Sequence, residues 1–186
     1  MSALSKSSYI SPEEYLLGEN DRPDGKKYEY VNGQIYAMAG ASRGHNLLAG
    51  NCFLALALHL RGSRCQVFQS DMKVEIQTLN DTRYYYPDVQ VSCEDETASH
   101  FNQSPCLVIE ILSGSTARKD RTEKLAGYRM IPTLQEYVLC SQDTPYVEVY
   151  RRSTEWFKEI YTEGKTFTLM SVGLEMVVDD LYTFLR

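Results

Sequence analysis

The sequence predicts a mixed α/β domain, a central mixed sheet flanked by helices, with an N-terminal hairpin and additional C-terminal strands. Three observations carry this. The chain has 186 residues, 43% of them apolar and 24% charged, enough for one domain with a real core and short for two. Helix-like and strand-like patterns follow one another as helix, hairpin, helix, three strands, helix and further strands, with no internal repeat, low-complexity run or linker. Tyrosine, which favours strands, is abundant at 14 residues. We expect one domain over residues 1–186, with 1–10 a flexible tail.

The elements follow in order. "SPEEYLLGE" opens a short helix through a capping box, with Ser11 at the cap, Pro12 in the first turn and Glu14 three residues on. "YEYVNGQIYAM" is a hairpin, because Asn32-Gly33 lies between β-prone flanks. A helix is expected from about Gly44 to Arg61, apolar on nearly every side in its second half. "CQVFQSDMKVEIQT" reads as one strand and "RYYYPDVQVS" as the next, with Pro87 weakening its start. "CLVIEIL" is the most apolar strand. A helix follows from about Thr116 to Arg129, with Ser115 as its cap and Pro132 beyond its end. "LQEYVLC", "YVEVYRR" and "WFKEIYT" are strands, and "GLEMVVDDLYTFL" closes with a strand and a short helix.

Charge and cysteine usage narrow the function. The net charge is −6 and the pI about 5.1, which argues against a protein that coats nucleic acid or adsorbs to an anionic membrane, but leaves room for a local basic patch. The five cysteines are odd in number and form no C-x-x-C, so they read as small core residues in a reducing compartment, without disulfides. Three histidines with no close pair give no zinc pattern. "MSALSKSSYIS" lacks an apolar signal region, and "CFLALALHL" is too short to span a bilayer. The expectation is a soluble cytoplasmic protein.

One stretch breaks its own pattern. In "PCLVIEILSGST", Glu110 sits among Val108, Ile109, Ile111 and Leu112. A carboxylate in an apolar strand costs several kcal/mol unless it is paired. On the preceding strand, alternation places Tyr86, Asp88 and Gln90 on one face. If the strands pair, Asp88 and Glu110 converge, and two such carboxylates call for a proton or a cation between them. Oxygen-only ligands suit Mg²⁺. The following helix carries Asp120 and Lys124 at i and i+4, so Lys124 can reach back towards the acids, with Asp120 positioning it.

These residues carry a resemblance. Pro87-Asp88 followed by Glu110 on an apolar strand is similar to the PD-(D/E)xK nuclease signature. The ordered set Pro87-Asp88, Glu110 to Ser113, Thr116, Asp120, Lys124 and Tyr128 resembles the Uma-type restriction endonuclease family, over about Ser11 to Arg186. The resemblance implies a restriction-endonuclease-like core and Mg²⁺-dependent hydrolysis of DNA phosphodiester bonds, with Mn²⁺ as a substitute. Asp88 and Glu110 would hold the metal. The usual signature has lysine two residues after the acid, where this chain has Leu112, so the resemblance implies a migrated lysine, Lys124. It also implies an early acid, for which Glu29 is the candidate.

Around this core stand weaker candidates. His45, at the first turn of the long helix, could reach the mouth of the site, although a surface or core role is the plainer reading. Arg118, Lys119 and Arg121 could contact phosphates or simply solvate a helix face. Ser113, Ser115 and Thr116 have no G-x-S-x-G elbow and read as caps; His59 and His100 read as structural. Two rival functions remain: a nucleic-acid-binding module with degraded chemistry, favoured by the acidic pI and Leu112, and a metal phosphoesterase for a small substrate. Metal binding at the two acids separates the first, and salt dependence the second. A homodimer is expected, since a double-strand cut needs two sites.

Overall fold

A computed structural model describes residues 9–185 of the protein, except 21, 23, 24 and 39. Helix α1 (Pro12–Asn20) begins in the expected capping box: Ser11 N donates to Glu14 Oε2 at 2.8 Å, and Glu14 N to Ser11 Oγ at 3.2 Å. Strands β1 (Tyr28–Val31) and β2 (Gln34–Ala37) turn through Asn32 and Gly33 at φ 44° and 91°. Both angles are positive, as a tight hairpin with this twist requires. Of the expected tail, residues 1–8 lie outside the described residues. Ile10 is tied to the hairpin: its N donates to Gly33 O at 3.1 Å, and its carbonyl accepts from the Tyr30 hydroxyl at 2.9 Å.

Two strands read as continuous are each split. The first becomes β3 (Gln66–Gln69) and β4 (Lys73–Gln77), separated by Ser70 and Asp71 in the left-handed region at φ 47° and 46°. The second becomes β5 (Thr82–Tyr85) and β6 (Val89–Ser92). Pro87 lies between them and has no N–H to donate to a ladder. The halves enter different sheets. One sheet has the order β2-β1-β5-β4-β7, where β7 is Phe101–Asn102. The other has the order β11-β10-β9-β8-β6-β3, with β8 (Pro105–Leu112), β9 (Glu136–Ser141), β10 (Tyr146–Arg151) and β11 (Lys158–Thr162). Within this central sheet β8 and β9 are parallel, and the other pairs are antiparallel. Strands β12 (Thr166–Leu169) and β13 (Leu174–Val177) form a ribbon followed by α5 (Val178–Leu181), and the sequence pattern does not announce β12.

The β8 strand is buried on both faces. On one face, Leu107, Ile109 and Ile111 pack with Val89 and Val91 against Leu48, Cys52 and Leu56 of α2 (Arg43–His59). That helix is capped by Ser42, whose Oγ accepts from His45 N at 3.1 Å. On the other face, Val108 and Leu112 join Tyr128, Tyr137 and Leu139, and Val74, Ile76 and Tyr85 arrive from a second sheet, the one that contains β4 and β5. Each such apolar side chain contributes roughly 1.5–3 kcal/mol when fully buried. The helix after β8 is composite: α3 (Ala117–Lys119), a π-helical turn over Asp120–Lys124, and α4 (Leu125–Tyr128). Its cap residue is Thr116 rather than Ser115, and it makes no side-chain cap bond. Gly127 allows the helix to lie on the second sheet, since a Cβ there would meet Ile76 Cδ1 and Tyr85 Cε2 at 3.3 Å.

The cysteine reading is corrected. Cys65 and Cys93 form a disulfide with Cα atoms 4.0 Å apart. The β3–β6 register pairs Gln66 with Ser92, and one step outward it sets these cysteines opposite each other. Residues 28 apart in sequence are thus joined by strand register, which cysteine spacing does not reveal. Cys106 Sγ lies 3.7 Å from Cys93 Sγ as a free thiol, pushed up to about 11 by burial. No helix among the described residues is long and apolar enough to cross a membrane.

Candidate active site

Asp88 directly follows Pro87 and precedes β6. The register Val89↔Ile109 places it beside Glu110 on the neighbouring strand. Asp88 Oδ2 accepts the backbone N–H of Ile111 at 2.7 Å. Glu110 points to the helix side, where Lys124 Nζ donates to Glu110 Oε1 at 2.8 Å and the Tyr128 hydroxyl donates to the same atom at 3.0 Å. Lys124 Nζ is also 2.8 Å from Glu29 Oε1 and 3.7 Å from Asp120 Oδ1. Lys119 Nζ donates to Glu29 Oε2 at 2.7 Å. His45 Nε2 stands 3.3 Å from Asp88 Oδ2. Asp88, Glu110, Lys124, Glu29, Asp120 and His45 all line one cavity of about 720 Å³.

Four structural units therefore meet at this point. The central sheet supplies Asp88 and Glu110, the composite helix supplies Lys119, Asp120 and Lys124, the hairpin supplies Glu29, and α2 supplies His45. The π-helical turn runs from Asp120 to Lys124, so both of its ends carry cluster residues. Such turns recur at functional sites. Lys124 lies 5.4 Å from the Tyr85 ring centroid, and Lys119 lies 5.1 Å from that of Tyr36.

Other predicted residues lie elsewhere. Gln90 is buried but outside the cavity lining: its Nε2 donates to Met72 O at 2.7 Å, and its Oε1 accepts from Asn102 at 3.1 Å, which ties the two sheets together. Arg121 points to β10 and pairs with Glu148 at 3.0 Å. Arg118 is exposed and pairs with Glu123 at 3.5 Å. Of the three basic residues proposed for nucleic acid, Lys119 lines the cavity and the two arginines do not. Tyr128 belongs to the ordered set of the resemblance without a role of its own, and Tyr85 is not among the sequence candidates. Tyr128 sits at i+4 from Lys124, a spacing that could have pointed to it.

Burial dominates the electrostatics. It pushes Glu110 well above the carboxylate range; Lys124 works against it, while Asp120, Asp88 and Glu29 add to it. Asp120 is also raised by burial, and its Oδ1 is buried without a hydrogen bond. For Glu29 burial acts upward, but Lys124 and Lys119 outweigh it and hold this carboxyl low. For Lys124 burial acts downward, but Glu110, Glu29 and Asp120 keep the ammonium well above its ordinary value. His45 is raised because Asp88, with a contribution from Asp120, outweighs its burial.

The cluster suits a hard divalent cation. With all four carboxylates ionised, the state a bound cation favours, Glu29, Asp88, Glu110 and Asp120 face two ammoniums (Lys119 and Lys124) and leave two negative charges unmatched when His45 is neutral. Among the described residues, no group of three or more His, Cys, Asp or Glu is arranged as a metal cage. That excludes nothing for Mg²⁺, which binds through one or two carboxylates and keeps several waters. Asp88 and Glu110 are two such carboxylates lining one cavity.

The central sheet, its covering helices and the acid pair on adjacent strands define a restriction-endonuclease-like fold. A crystal structure described as a putative nuclease belonging to DUF820, from Anabaena variabilis ATCC 29413, matches it with a TM-score of 0.75, covering 95% of this chain and 99% of that one at 20% identity. The chain belongs to the Uma2 family, described as "Putative restriction endonuclease", whose model matches residues 12–179. Two relatives come from Synechocystis sp. (strain ATCC 27184 / PCC 6803 / Kazusa). Uncharacterized protein slr1290 is 37% identical over 177 residues, covering 93% of this chain and 91% of its own. Uncharacterized protein sll1609 is 35% identical over 156 residues, covering 82% and 86%.

Proposed function

We propose that the protein is a nuclease that hydrolyses DNA phosphodiester bonds with Mg²⁺ held by Asp88 and Glu110. The observation that carries the reading is Lys124. Its ammonium stands 2.8 Å from both Glu110 and Glu29, at the wall of the cavity that also holds Asp88. No stability argument asks for a buried lysine beside two buried glutamates, since apolar replacements of such clusters are often neutral or stabilising. Membership of a family described as "Putative restriction endonuclease" supports a nucleic-acid substrate, and we take it to be DNA.

The cation would polarise the phosphoryl group and acidify a bound water. The rest falls to the chain's own residues. An ammonium has three donors. Two short contacts use two of them in Lys124, and the third can orient the attacking water or meet a phosphoryl oxygen. Asp120, four residues before Lys124, and Glu29, from the hairpin, hold the lysine ammonium in place. Tyr128 fixes the Glu110 carboxylate through Oε1. His45 and the Ile111 amide orient Asp88. Lys119, which lines the same cavity, is available to the substrate backbone.

The test is cleavage of plasmid DNA with Mg²⁺ or Mn²⁺, with and without chelator. Asp88→Asn and Glu110→Gln are expected to abolish it, and Lys124→Met to slow it by about 10²–10³-fold, the usual effect of losing one preorganised donor. Full activity in both acid variants would refute the assignment. We further assign a homodimer, supported by Leu47, Leu54 and Leu58, which form one exposed stripe along α2. Light scattering on Leu54→Glu/Leu58→Glu is expected to return the monomer mass, and an unchanged mass would place the contact elsewhere.

A further inference from the structure

The cavity that holds the acids runs on into a second one of about 330 Å³, and Lys27, Asp71 and Tyr86 line both. The second cavity is basic in an acidic protein. Arg22, Lys26, Lys27 and Lys73 line it against two carboxylates, Glu19 and Asp71, a surplus of two positive charges in a chain of net charge −6. Both carboxylates are engaged. Glu19 pairs with Arg22 at 2.9 Å and accepts from the Tyr28 amide at 2.8 Å and the Tyr86 hydroxyl at 3.1 Å. Asp71 pairs with Lys27.

Lys73 is the residue left over. It is 4% exposed, lines this cavity and makes no ion pair within 4.0 Å among the described residues. Its Nζ donates to the Tyr86 hydroxyl at 3.3 Å and lies 5.1 Å from that ring's centroid. Lys27 Nζ lies 5.9 Å from the same centroid, so two ammoniums flank one phenol. Burial, and secondarily Lys27, lower Lys73 from its ordinary value, while Glu19 acts against them. A buried cation without a counter-charge is costly. On a strand packed as tightly as β4, a methionine would fill the space without that cost. An anion entering from the cavity is the natural counter-charge.

We propose that Lys73 and Lys27 form a phosphate subsite, which holds a non-scissile phosphate of the same nucleic-acid strand whose scissile phosphate lies over Asp88 and Glu110. This rests on the nuclease reading for the strand, though not for the anion. Tyr86 links the subsite to the acids: its ring borders both ammoniums, and it stands two residues before Asp88. Asp71, in the left-handed region, stands on the shared wall. A phosphate fixed here sets the register of the strand before chemistry.

The test uses the full-length protein in chelator, so that binding is read without cleavage. The probes are a fluorescein-labelled single-stranded oligodeoxynucleotide, followed by anisotropy over a salt series, and inorganic phosphate as competitor. Lys73→Met is expected to weaken oligonucleotide binding several-fold and to reduce the salt slope by about one, as loss of one phosphate contact does. Lys73→Arg should restore both. Inorganic phosphate should compete with the wild type and lose its effect in Lys73→Met. Wild-type affinity and slope in a folded Lys73→Met would overturn the proposal, as would phosphate binding without oligonucleotide binding. Should Lys73→Met fail to fold, Lys27→Met is read in the same way. A protein that cleaves nothing with any metal yet shows these binding changes would refute the nuclease reading and leave the subsite standing.

Discussion

Replacing Lys124 by methionine removes the cation that three buried carboxylates share, Glu29, Glu110 and Asp120. Methionine keeps most of the stem's volume, so the loss is electrostatic. Breaking a buried ion pair by removing one partner costs about 3–5 kcal/mol, because the other partner stays buried without its charge. In a chain of this size that lowers the melting temperature by roughly 10 °C. The loss should depend on pH. Glu29 is held low in the wild type, chiefly by Lys124 against its burial, so its contribution is present above the unfolded value of about 4.3 and fades as pH falls through the depressed folded value. Glu110 and Asp120 are already raised by burial, and without Lys124 they rise further and take up protons sooner on acidification. The deficit is therefore widest at neutral pH and narrows towards about pH 4.5. Thermal unfolding followed by circular dichroism, in chelator, measures it. A deficit equal at both ends of that range, or none at neutral pH, would refute the account of Lys124 as the shared counter-charge.

Three further outcomes follow from the same geometry. Glu110→Gln should gain stability relative to the wild type in chelator as pH rises, because it removes a carboxylate that burial keeps raised; a variant that loses ground to the wild type with rising pH would contradict this. His45→Ala should lose a pH-dependent increment: the raised imidazole stabilises the fold fully below its ordinary value of about 6.5, and the increment fades as pH rises through the folded value. Parallel stability curves for wild type and variant in chelator would dismiss that ion pair. Cys65→Ser should cost about 2–4 kcal/mol under oxidising conditions and close to nothing against fully reduced wild type, as denaturant titrations can show.

The site was legible where a residue contradicted its surroundings. Glu110 stands out because a charge interrupts an apolar strand, and Pro87-Asp88 because a proline breaks one. Lys124 was legible only through its spacing from Asp120 and the family resemblance, and Glu29 only through the resemblance. What stayed hidden depends on tertiary partners. Alternation on β4 would turn Lys73 and Glu75 outwards, yet β4 is buried on both faces, between β5 and β7 and beneath the composite helix. Gln90 shares a strand face with the acids, but Asn102 and Met72 claim its amide further from the cavity. Arg121 sits three residues from Lys124, and the π-helical turn between them sends it to Glu148 instead. The Cys65–Cys93 bond depends on a register set by strands that the sequence reads as continuous with others.

The departure at Leu112 and the route of Lys124 have one cause. Val108, Glu110 and Leu112 share the face of β8 that meets the helix and the second sheet, and Leu112 is packed there with Tyr128, Ile131 and Tyr137. An ammonium at that position would enter an apolar cluster, with desolvation that no carboxylate in the cluster offsets. From the helix, Lys124 reaches Glu110 across the top of the same cluster and also meets Glu29, which belongs to the other sheet. A lysine on β8 would connect only to its own sheet. Lys124 joins the central sheet, the helix and the hairpin through one nitrogen, so its full set of carboxylate partners is assembled only when the two sheets are docked. Placement of the lysine on the helix thus makes the integrity of the candidate site a direct consequence of the tertiary fold.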